Sequence, residues 1–382
     1  MRPLLDLYLY SSHEVAVWAP LLVPLRAAGV DVRFVLEPPG RNVARGSAPD
    51  ADRGWLDDKR GRLVHLLDHR TEETIREELA VLGEEPLTRR RAPAAAVTTQ
   101  GSRWLRPYSG ARIRSMYGVA FVTDAYGHGT INEGFDLVLA HGPYSASQIE
   151  VNVPSASVAI VGFPKWGSFR RGEVSRQDGR RRLGLPLNGP PVLAWLPTWA
   201  QSSSLADAEA VTALAADFLV VMKPHHNTAR FEDARLAAVA SGVTVLPSTA
   251  SLVDLLVAVD VVVGDVRSGG FTEGLLADRP VIGVARPGSS GSLHPGAFEA
   301  ADVCEDLSEL PALARRALSD DPHADGRRRW VPELFGHTDG DDVGLAAEAI
   351  TDVLARTPAS ARRRISSAGW TAAYRVARRV GR

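Results

Sequence analysis

The chain has 382 residues, of which 45% are hydrophobic and 23% are charged, and its formal net charge is −1. This length allows two domains with separate cores, and the composition is typical of a globular protein. The near-neutral charge gives no electrostatic reason to expect nucleic acid as a partner, no apolar run is long enough to cross a bilayer, and the single cysteine excludes disulfides and a thiolate zinc site.

The first ten residues, MRPLLDLYLY, are interpreted as a strand rather than a signal peptide. Asp6 interrupts the apolar run, and no small-residue cleavage site follows it. We therefore expect a cytoplasmic location. The lone Cys304 has no evident basic partner nearby in sequence, so it is predicted to be a structural thiol rather than a nucleophile.

Short β-rich runs alternate with helical stretches along most of the chain. Several runs, such as VDVVVGD, are almost continuously apolar, which is typical of parallel strands covered by helices on both faces. The predicted strands are Leu4–Tyr10, Asp31–Leu36, Ala96–Thr99, Val119–Thr123, Asp136–Ala140, Val158–Gly162, Val192–Leu196, Phe218–Lys223, Val243–Leu246, Val259–Val263 and Pro280–Val284. Predicted helices include Glu14–Ala28, Thr71–Leu82, Asp207–Ala216 and Phe231–Ala240. This order predicts an α/β protein with doubly wound, Rossmann-like sheets.

A charged stretch rich in Gly and Pro, RRGEVSRQDGRRRLGLPLNGPP, divides the chain near Asn188. We predict an N-terminal Rossmann-like domain over 1–187, a C-terminal one over 188–357 and a basic amphipathic tail over 358–382. Two such domains usually bind a ligand in the cleft between them, and open parallel sheets bind it beyond the carboxyl ends of their strands. The residues just after each strand are therefore the candidates for a site.

The strand Phe218–Lys223 is followed by Lys-Pro-His-His-Asn. Lys223 and His225 offer a cation and a hydrogen-bonding imidazole at a strand's carboxyl end, where a phosphate could bind. The alternative is a strand terminus that carries polar side chains to solvent.

A glycine-rich turn follows the strand Val259–Val263 and leads into a predicted helix that begins near Gly270. Small residues let backbone N–H groups approach an anion, and a helix N-terminus adds partial positive charge. Glu273 could bind a ribose hydroxyl, or it could be a capping-box residue. The candidate ligands of a phosphate or nucleotide in this turn are Asp265, Arg267, Ser268, Gly269, Gly270 and Glu273.

Three further positions follow predicted strands. Thr198, in Pro-Thr-Trp, could bind a phosphate or belong to a loop before a helix. His128 lies between two glycines, in Tyr-Gly-His-Gly-Thr, and its ordinary pKa near working pH suits a general base. His141 is interpreted as a strand-end histidine. No metal site is evident, because neither an HExxH motif nor a Cys/His cluster occurs.

Taken in order, these segments resemble the CDP-glycerol glycerophosphotransferase family of bacterial teichoic-acid synthesis. The resemblance covers about residues 117–355. The segments that carry it are His128-Gly129, Asp136-Leu137-Val138-Leu139, Gly162-Phe163-Pro164, Leu196-Pro197-Thr198-Trp199, Lys223-Pro224-His225, Asp265-Val266-Arg267-Ser268 with Glu273, Arg279-Pro280-Val281-Ile282 and Asp339-Gly340.

This resemblance implies a GT-B fold, no catalytic metal, and a nucleotide-activated donor bound mainly by the C-terminal domain. It suggests His128 as the base and His225, Arg267 and Ser268 as binders of the donor's pyrophosphate. The expected reaction moves glycerol phosphate, or a similar polyol phosphate, from CDP to a hydroxyl of a lipid-linked or polymeric acceptor. No cofactor is expected.

Three alternatives stay open at the level of sequence. The string S-G-G-F-T-E at 268–273 also resembles the S-G-G-x-x-E of UDP-N-acetylglucosamine 2-epimerases, which share the fold. A glycosyltransferase that uses a nucleotide sugar is the second alternative. The third is a degenerate scaffold that binds nucleotide or polymer without turnover.

The end of the chain, ASARRRISSAGWTAAYRVARRVGR, contains seven arginines and no acidic residue. As a helix, 359–382 could lie on an anionic membrane surface with its aromatic residues at the interface. The alternative is a solvated end. We expect a peripheral position on the inner face of the cell membrane, where a lipid-linked acceptor would be accessible.

Overall fold

We describe a computed structural model of the chain. The structure describes residues 2–9, 11, 13–36, 55–57, 63–65, 69–86, 94–99, 110–115, 118–119, 121, 134–152, 155–199, 203–226, 228, 236–237, 239, 242–286, 293–336 and 339–356. His128 and the tail from 357 onward lie outside these ranges.

The strands of the first half form a parallel sheet of six, in the order β2-β1-β5-β6-β7-β8, and a separate antiparallel pair, β3-β4. Their bounds are β1 Leu4–Leu9, β2 Asp31–Leu36, β3 Trp55–Asp57, β4 Leu63–His65, β5 Ala95–Thr98, β6 Ala111–Ser115, β7 Leu137–Ala140 and β8 Ser157–Ile160. The chain moves outward from β1 to β2 and then returns to the other side of β1, so the strand order reverses between β1 and β5.

The strands of the second half form another parallel sheet of six, in the order β11-β10-β9-β12-β13-β14. Their bounds are β9 Val192–Leu196, β10 Leu219–Met222, β11 Thr244–Val245, β12 Val261–Asp265, β13 Val281–Val284 and β14 Asp302–Cys304. Here the order reverses between β9 and β12.

Helices connect and cover the strands. Within the described ranges they are α1 His13–Trp18, α2 Leu22–Ala27, α3 His69–Val81, α4 Pro143–Asn152, α5 Gly167–Arg170, α6 Arg176–Arg182, α7 Ala208–Thr212, α8 Leu252–Ala258, α9 Gly269–Leu276, α10 Pro295–Ala300, α11 Leu310–Ser319, α12 Ala324–Phe335 and α13 Asp342–Arg356. A search of the described residues for a helix of sufficient length and apolar character to span a bilayer found none.

The central strands are buried along their whole length, because helices pack on both faces of each sheet. Every residue of β5, β7, β9 and β12 is buried. One hydrophobic cluster extends through both halves of the molecule, and two smaller ones lie in the second sheet's half and the first sheet's half. The two Rossmann-like sheets predicted from the sequence are thus confirmed.

One predicted strand is wrong. Val119 and Phe121, the described residues of the predicted strand Val119–Thr123, lie in no strand. The sheet instead uses β6, Ala111–Ser115, whose sequence ARIRS places two arginines in a central strand. Arg114 is buried there and Arg112 is half-buried, so the apolar pattern that marks the other strands is missing.

The last helix returns to the first sheet. Although α13 follows the second sheet in the chain, it packs against α2 and against β6, β7 and β8. Arg170 fixes this return: its guanidinium donates to the carbonyl oxygens of Phe335 and Gly336, at 3.1 and 2.6 Å, and to the carboxylate of Asp342 at 2.9 Å. The two halves are therefore joined by two chain crossings.

Candidate functional site

The point where strand order reverses is the place at which a doubly wound sheet leaves a crevice. In the second sheet this point lies between β9 and β12, and β10 is the next strand on the far side of β9. The three turns that follow these strands begin at Pro197, Lys223 and Val266. The sequence-predicted site residues of the C-terminal half are therefore adjacent in space, because their strands are neighbours.

Asp265 ties two of these turns together. Its buried carboxylate accepts hydrogen bonds from the backbone N–H of Thr198 at 2.5 Å and of Ser204 at 3.0 Å. Burial raises the pKa of Asp265 to about 6, against the opposing effect of these bonds and of Arg286. Arg286 also donates to the Ser203 carbonyl at 2.6 Å. The described contacts of Asp265 thus organise the loop after β9.

The helix α9 begins at the third turn. Ser268 is its N-cap, and the Ser268 hydroxyl accepts a hydrogen bond from the Phe271 N–H at 3.2 Å. A Cβ on Gly270 would lie 2.8 Å from Leu196 Cδ1, so glycine lets the helix start directly above β9. Gly269 has more room, and Arg267 is an exposed residue just before the cap. The first N–H groups of α9 therefore point toward the crevice end of the sheet.

Lys223 and His225 follow β10. The Lys223 ammonium donates to the Ser248 carbonyl at 2.6 Å. Burial, together with the nearby Lys165, lowers the pKa of Lys223 to about 8, against the opposing effect of Glu273 and Glu78. The His225 ring stacks on Trp199, with centroids 6.4 Å apart, so the turns after β9 and β10 contact each other.

A histidine of the first half reaches this turn. The His13 ring lies 4.7 Å from the His226 ring, and His226 lies 4.1 Å from His225, each measured between centroids. His13 begins α1, directly after β1, at the reversal point of the first sheet. The reversal points of both sheets therefore face each other across a row of three imidazoles.

Buried polar groups hold His13 in place. The Ser11 hydroxyl bonds to His13 Nδ1. The neighbouring Glu14 carboxylate, which is buried, accepts from the Ser11 N–H at 3.3 Å and from the Thr99 hydroxyl. Thr99 follows β5, so the turns on both sides of the first sheet's reversal point share one carboxylate.

Glu273 also contacts the first half. Lys165 Nζ lies 2.9 Å from Glu273 Oε1 and 2.7 Å from Oε2, and Trp166 Nε1 donates to Oε2 at 2.8 Å. Lys165 and Trp166 form a short 3₁₀ turn, Pro164–Trp166, soon after β8. Both oxygens of this carboxylate therefore bind groups from the first half.

Val119 and Phe121, which precede His128 in the chain, lie at the same boundary between the halves. The Val119 carbonyl accepts from the Thr272 hydroxyl at 2.7 Å, and the Phe121 carbonyl accepts from the His294 N–H at 3.1 Å. The Phe121 and His294 rings stack with centroids 5.4 Å apart.

His141 is buried behind the cleft. Its ring contacts Phe163 edge to face at 4.3 Å, and burial together with Lys165 lowers its pKa to about 3, so the imidazole is neutral. This position is that of a strand-end histidine in the core. Within the described parts of the chain, no group of three or more His, Cys, Asp or Glu residues could hold a metal ion.

Sequence reasoning missed two residues at this site, His13 and Lys165. The search of residues that follow each strand could have found both, because His13 follows the carboxyl end of β1 and Lys165 stands in the turn soon after β8. The strand-end rule was not applied to His13, because His13 stands immediately before the predicted helix Glu14–Ala28. Lys165 was not considered, because it follows the segment Gly162-Phe163-Pro164 and is not part of it.

Solved structures share this fold. A variant of the wall teichoic acid polymerase TagF with CDPG matches 92% of this chain and 88% of its own, with a TM-score of 0.59 and 13% identity. The S. aureus MnaA–UDP structure matches 94% of this chain and 100% of its own, with a TM-score of 0.57 and 12% identity. UDP-GlcNAc 2-epimerase from Neisseria meningitidis, bound to UDP-GlcNAc, matches 91% and 99%, with a TM-score of 0.56 and 11% identity.

No family model matches the chain, and no curated protein matches it in sequence. At such low identity the likeness to solved structures concerns the fold. The alignments with those structures cover 91–94% of this chain. The chain has a GT-B fold.

Proposed function

We propose that this chain is an enzyme that binds a nucleoside-diphosphate-linked donor at the carboxyl ends of β9, β10 and β12. The observation that carries the proposal is the convergence of three polar turns at the second sheet's reversal point, opposite a histidine from the first sheet's reversal point. TagF, MnaA and the Neisseria epimerase, which share the fold, were solved with CDPG, UDP and UDP-GlcNAc respectively. These ligands support a nucleotide for this cleft.

The reaction that we propose is transfer of a polyol phosphate from a CDP carrier to an acceptor hydroxyl. The acceptor oxygen attacks the β-phosphorus, the bond from that phosphorus to the bridging oxygen breaks, and CMP leaves. His128 accepts the proton of the attacking hydroxyl. His225, Arg267, Ser268 and the N–H groups at the start of α9 stabilise the charge on the phosphates, as preorganised donors do. The sequence resemblance supports this choice of donor.

His13 gives the first half a second imidazole in the cleft. It contacts His226 rather than lying in solvent, and Ser11 fixes its Nδ1 side. We propose that His13 positions the donor's phosphates from the side opposite β10. His128 stays the proposed base because the segment before it, through Phe121, is bonded to the second half.

A nucleotide sugar is the second candidate donor. Glu273 supports this candidate. It is the acidic residue of S-G-G-F-T-E, the string that resembles the UDP-N-acetylglucosamine 2-epimerases, and its carboxylate on α9 lies within the cleft. A glycosyltransferase and a 2-epimerase both remain consistent with this placement.

Product analysis separates these functions. The purified chain is incubated with CDP-glycerol and a lipid-linked acceptor, then with UDP-, GDP-, dTDP- and CMP-sugars, and finally with UDP-GlcNAc alone. CMP release with extension of the acceptor supports the leading proposal. Nucleotide release only from a sugar donor favours glycosyl transfer, turnover of UDP-GlcNAc without acceptor favours epimerisation, and turnover of none of these donors contradicts an enzymatic function.

We further propose that the acceptor is lipid-linked or polymeric and that the tail, 358–382, brings the enzyme to an anionic membrane surface on the cytoplasmic side. The tail lies outside the described residues, so the support for this proposal is the arginine-rich sequence.

A further inference from the structure

The contact between Lys165 and Glu273 joins the two halves at the centre of the proposed donor site. Lys165 stands after the last strand of the first sheet, and Glu273 stands on α9 of the second half. The lysine side chain is 17% exposed and the carboxylate 5%, so the carboxylate lies deeper than the cation. The ammonium is thus the more solvent-accessible partner of the pair.

Glu273 keeps another donor if Lys165 moves away. Trp166 Nε1 donates to Oε2 at 2.8 Å, and Trp166 is fully buried. A long, flexible lysine side chain can change rotamer, whereas the buried indole is fixed by its packing. The geometry therefore allows the ammonium to exchange partners while Glu273 keeps its hydrogen bond from Trp166.

A second lysine is electrostatically coupled to this pair. Burial and then Lys165 lower the pKa of Lys223 to about 8, and Glu273 and Glu78 act in the opposite direction. Glu78, on α3, faces the same lysine, and burial raises the pKa of Glu78 to about 7, so this carboxyl is only partly ionised near neutral pH. Near neutral pH the two ammonium groups thus carry more positive charge than Glu273 and Glu78 neutralise, which favours an anionic ligand.

We propose that Lys165 is a donor-binding residue supplied by the first half of the chain. This role rests on the proposed function: when a nucleoside diphosphate binds, the Lys165 ammonium leaves Glu273 Oε1 and binds a phosphate oxygen. The same exchange frees Oε1 to accept a hydrogen bond from a ribose hydroxyl. The donor itself then bridges the two halves, with Lys165 and Lys223 on its phosphates.

Calorimetric titration of the full chain tests the proposal, with CDP and UDP as ligands and with cytidine and uridine for comparison. Lys165→Met removes the ammonium, and Lys165→Arg retains a cation. The control is Arg171→Met, which removes a cation of the same segment whose partners are the exposed Glu173 and the Gly340 carbonyl. We expect Lys165→Met to weaken diphosphate binding by about 10- to 100-fold, as loss of one charge-assisted hydrogen bond does.

The nucleosides separate a phosphate contact from a structural role. If Lys165 binds phosphate, Lys165→Met reduces the ratio of nucleoside to diphosphate dissociation constants, and adding Glu273→Gln does not restore it. If Lys165 only neutralises Glu273, the ratio stays at the wild-type value or returns to it in the double variant, and the inference is overturned. Should the wild-type chain bind neither diphosphate, the proposed function fails as well; wild-type binding with an unchanged Lys165→Met variant overturns this inference alone.

Discussion

His13 and His226 belong to different sheets, yet their imidazole rings lie 4.7 Å apart. Each follows the carboxyl end of a strand, β1 in one case and β10 in the other. The contact brings the crevices of the two sheets against each other, so a ligand held by either crevice is within reach of the other.

Substitution of His225, His128 and His13 tests the roles proposed for them. We expect His225→Gln to lower kcat by about 100- to 1000-fold, because it removes a group proposed to stabilise charge on the phosphates. His128→Gln should lower kcat by about 100- to 10,000-fold, because it removes the proposed general base.

His13→Gln should raise KM for the donor by about 10-fold, which is the effect of one lost hydrogen bond.

Steady-state kinetics, with the donor identified by product analysis, measures these effects. The control is His323→Gln, because His323 contacts Asp302 at the start of β14. Full activity of His128→Gln would remove that residue from the chemistry. A fall in kcat at His13 with unchanged KM would assign the proton transfer to His13 instead.

Two adjacent glycines provide a matched test of the start of α9. A methyl group on Gly270 meets Leu196 Cδ1 at 2.8 Å and Leu196 Cβ at 3.1 Å, whereas on Gly269 it meets only Glu273 Oε1 at 3.5 Å. We expect Gly270→Ala to destabilise the fold by roughly 1–3 kcal/mol through overpacking, and to weaken diphosphate binding because α9 must shift. Gly269→Ala should stay within about 0.5 kcal/mol of the wild-type stability. Urea unfolding compares the two variants, and equal losses would contradict the tight contact.

Diphosphate binding should depend on pH through Lys223. The pKa of Lys223 is lowered to about 8, so the ammonium is present below that pH and is lost as the pH rises through it. Affinity for CDP or UDP should therefore decline above about pH 8. Lys223→Arg should retain its charge, and with it the affinity, up to higher pH. Titrations between pH 6.5 and pH 9.5, a range of about three units around this pKa, check the prediction. Identical profiles for both proteins would show that another group controls binding.

The tail predicts salt-sensitive association with membranes. Each basic residue near an anionic surface contributes about 1 kcal/mol. The full chain should float with vesicles that contain anionic lipid at low salt and dissociate at high salt, whereas a chain that ends at Pro358 should not float. The same flotation of both forms would argue against a membrane role for 359–382.

The sequence pattern of each strand explains which strands could be predicted. Val192–Leu196 was predicted with its observed bounds because VLAWL is apolar throughout, and Asp31–Leu36 because DVRFVL alternates polar and apolar residues before an apolar end. β6 was missed because Arg112 and Arg114 interrupt the apolar pattern. β14, Asp302–Cys304, was missed because three residues at a sheet edge give almost no periodic signal.

The placement of the candidate residues was predictable one half at a time. Thr198, Lys223 and His225 follow neighbouring strands and Asp265 ends a third, and a strand-end rule finds such residues without knowledge of the sheet order. The partners of Glu273 and His226 could not be predicted, because each contact joins residues from different sheets. Only the relative placement of the two sheets brings Lys165 to Glu273 and His13 to His226.

The return of α13 to the first sheet constrains how the molecule can be divided and how it can move. A fragment that begins at Asn188 would contain this helix but none of the strands β6, β7 and β8 on which it rests, and its apolar side would be left in water. Arg170 bonds the outgoing chain to the returning one. A movement of the two halves that separated these crossings would therefore break its bonds to the Gly336 carbonyl and to Asp342.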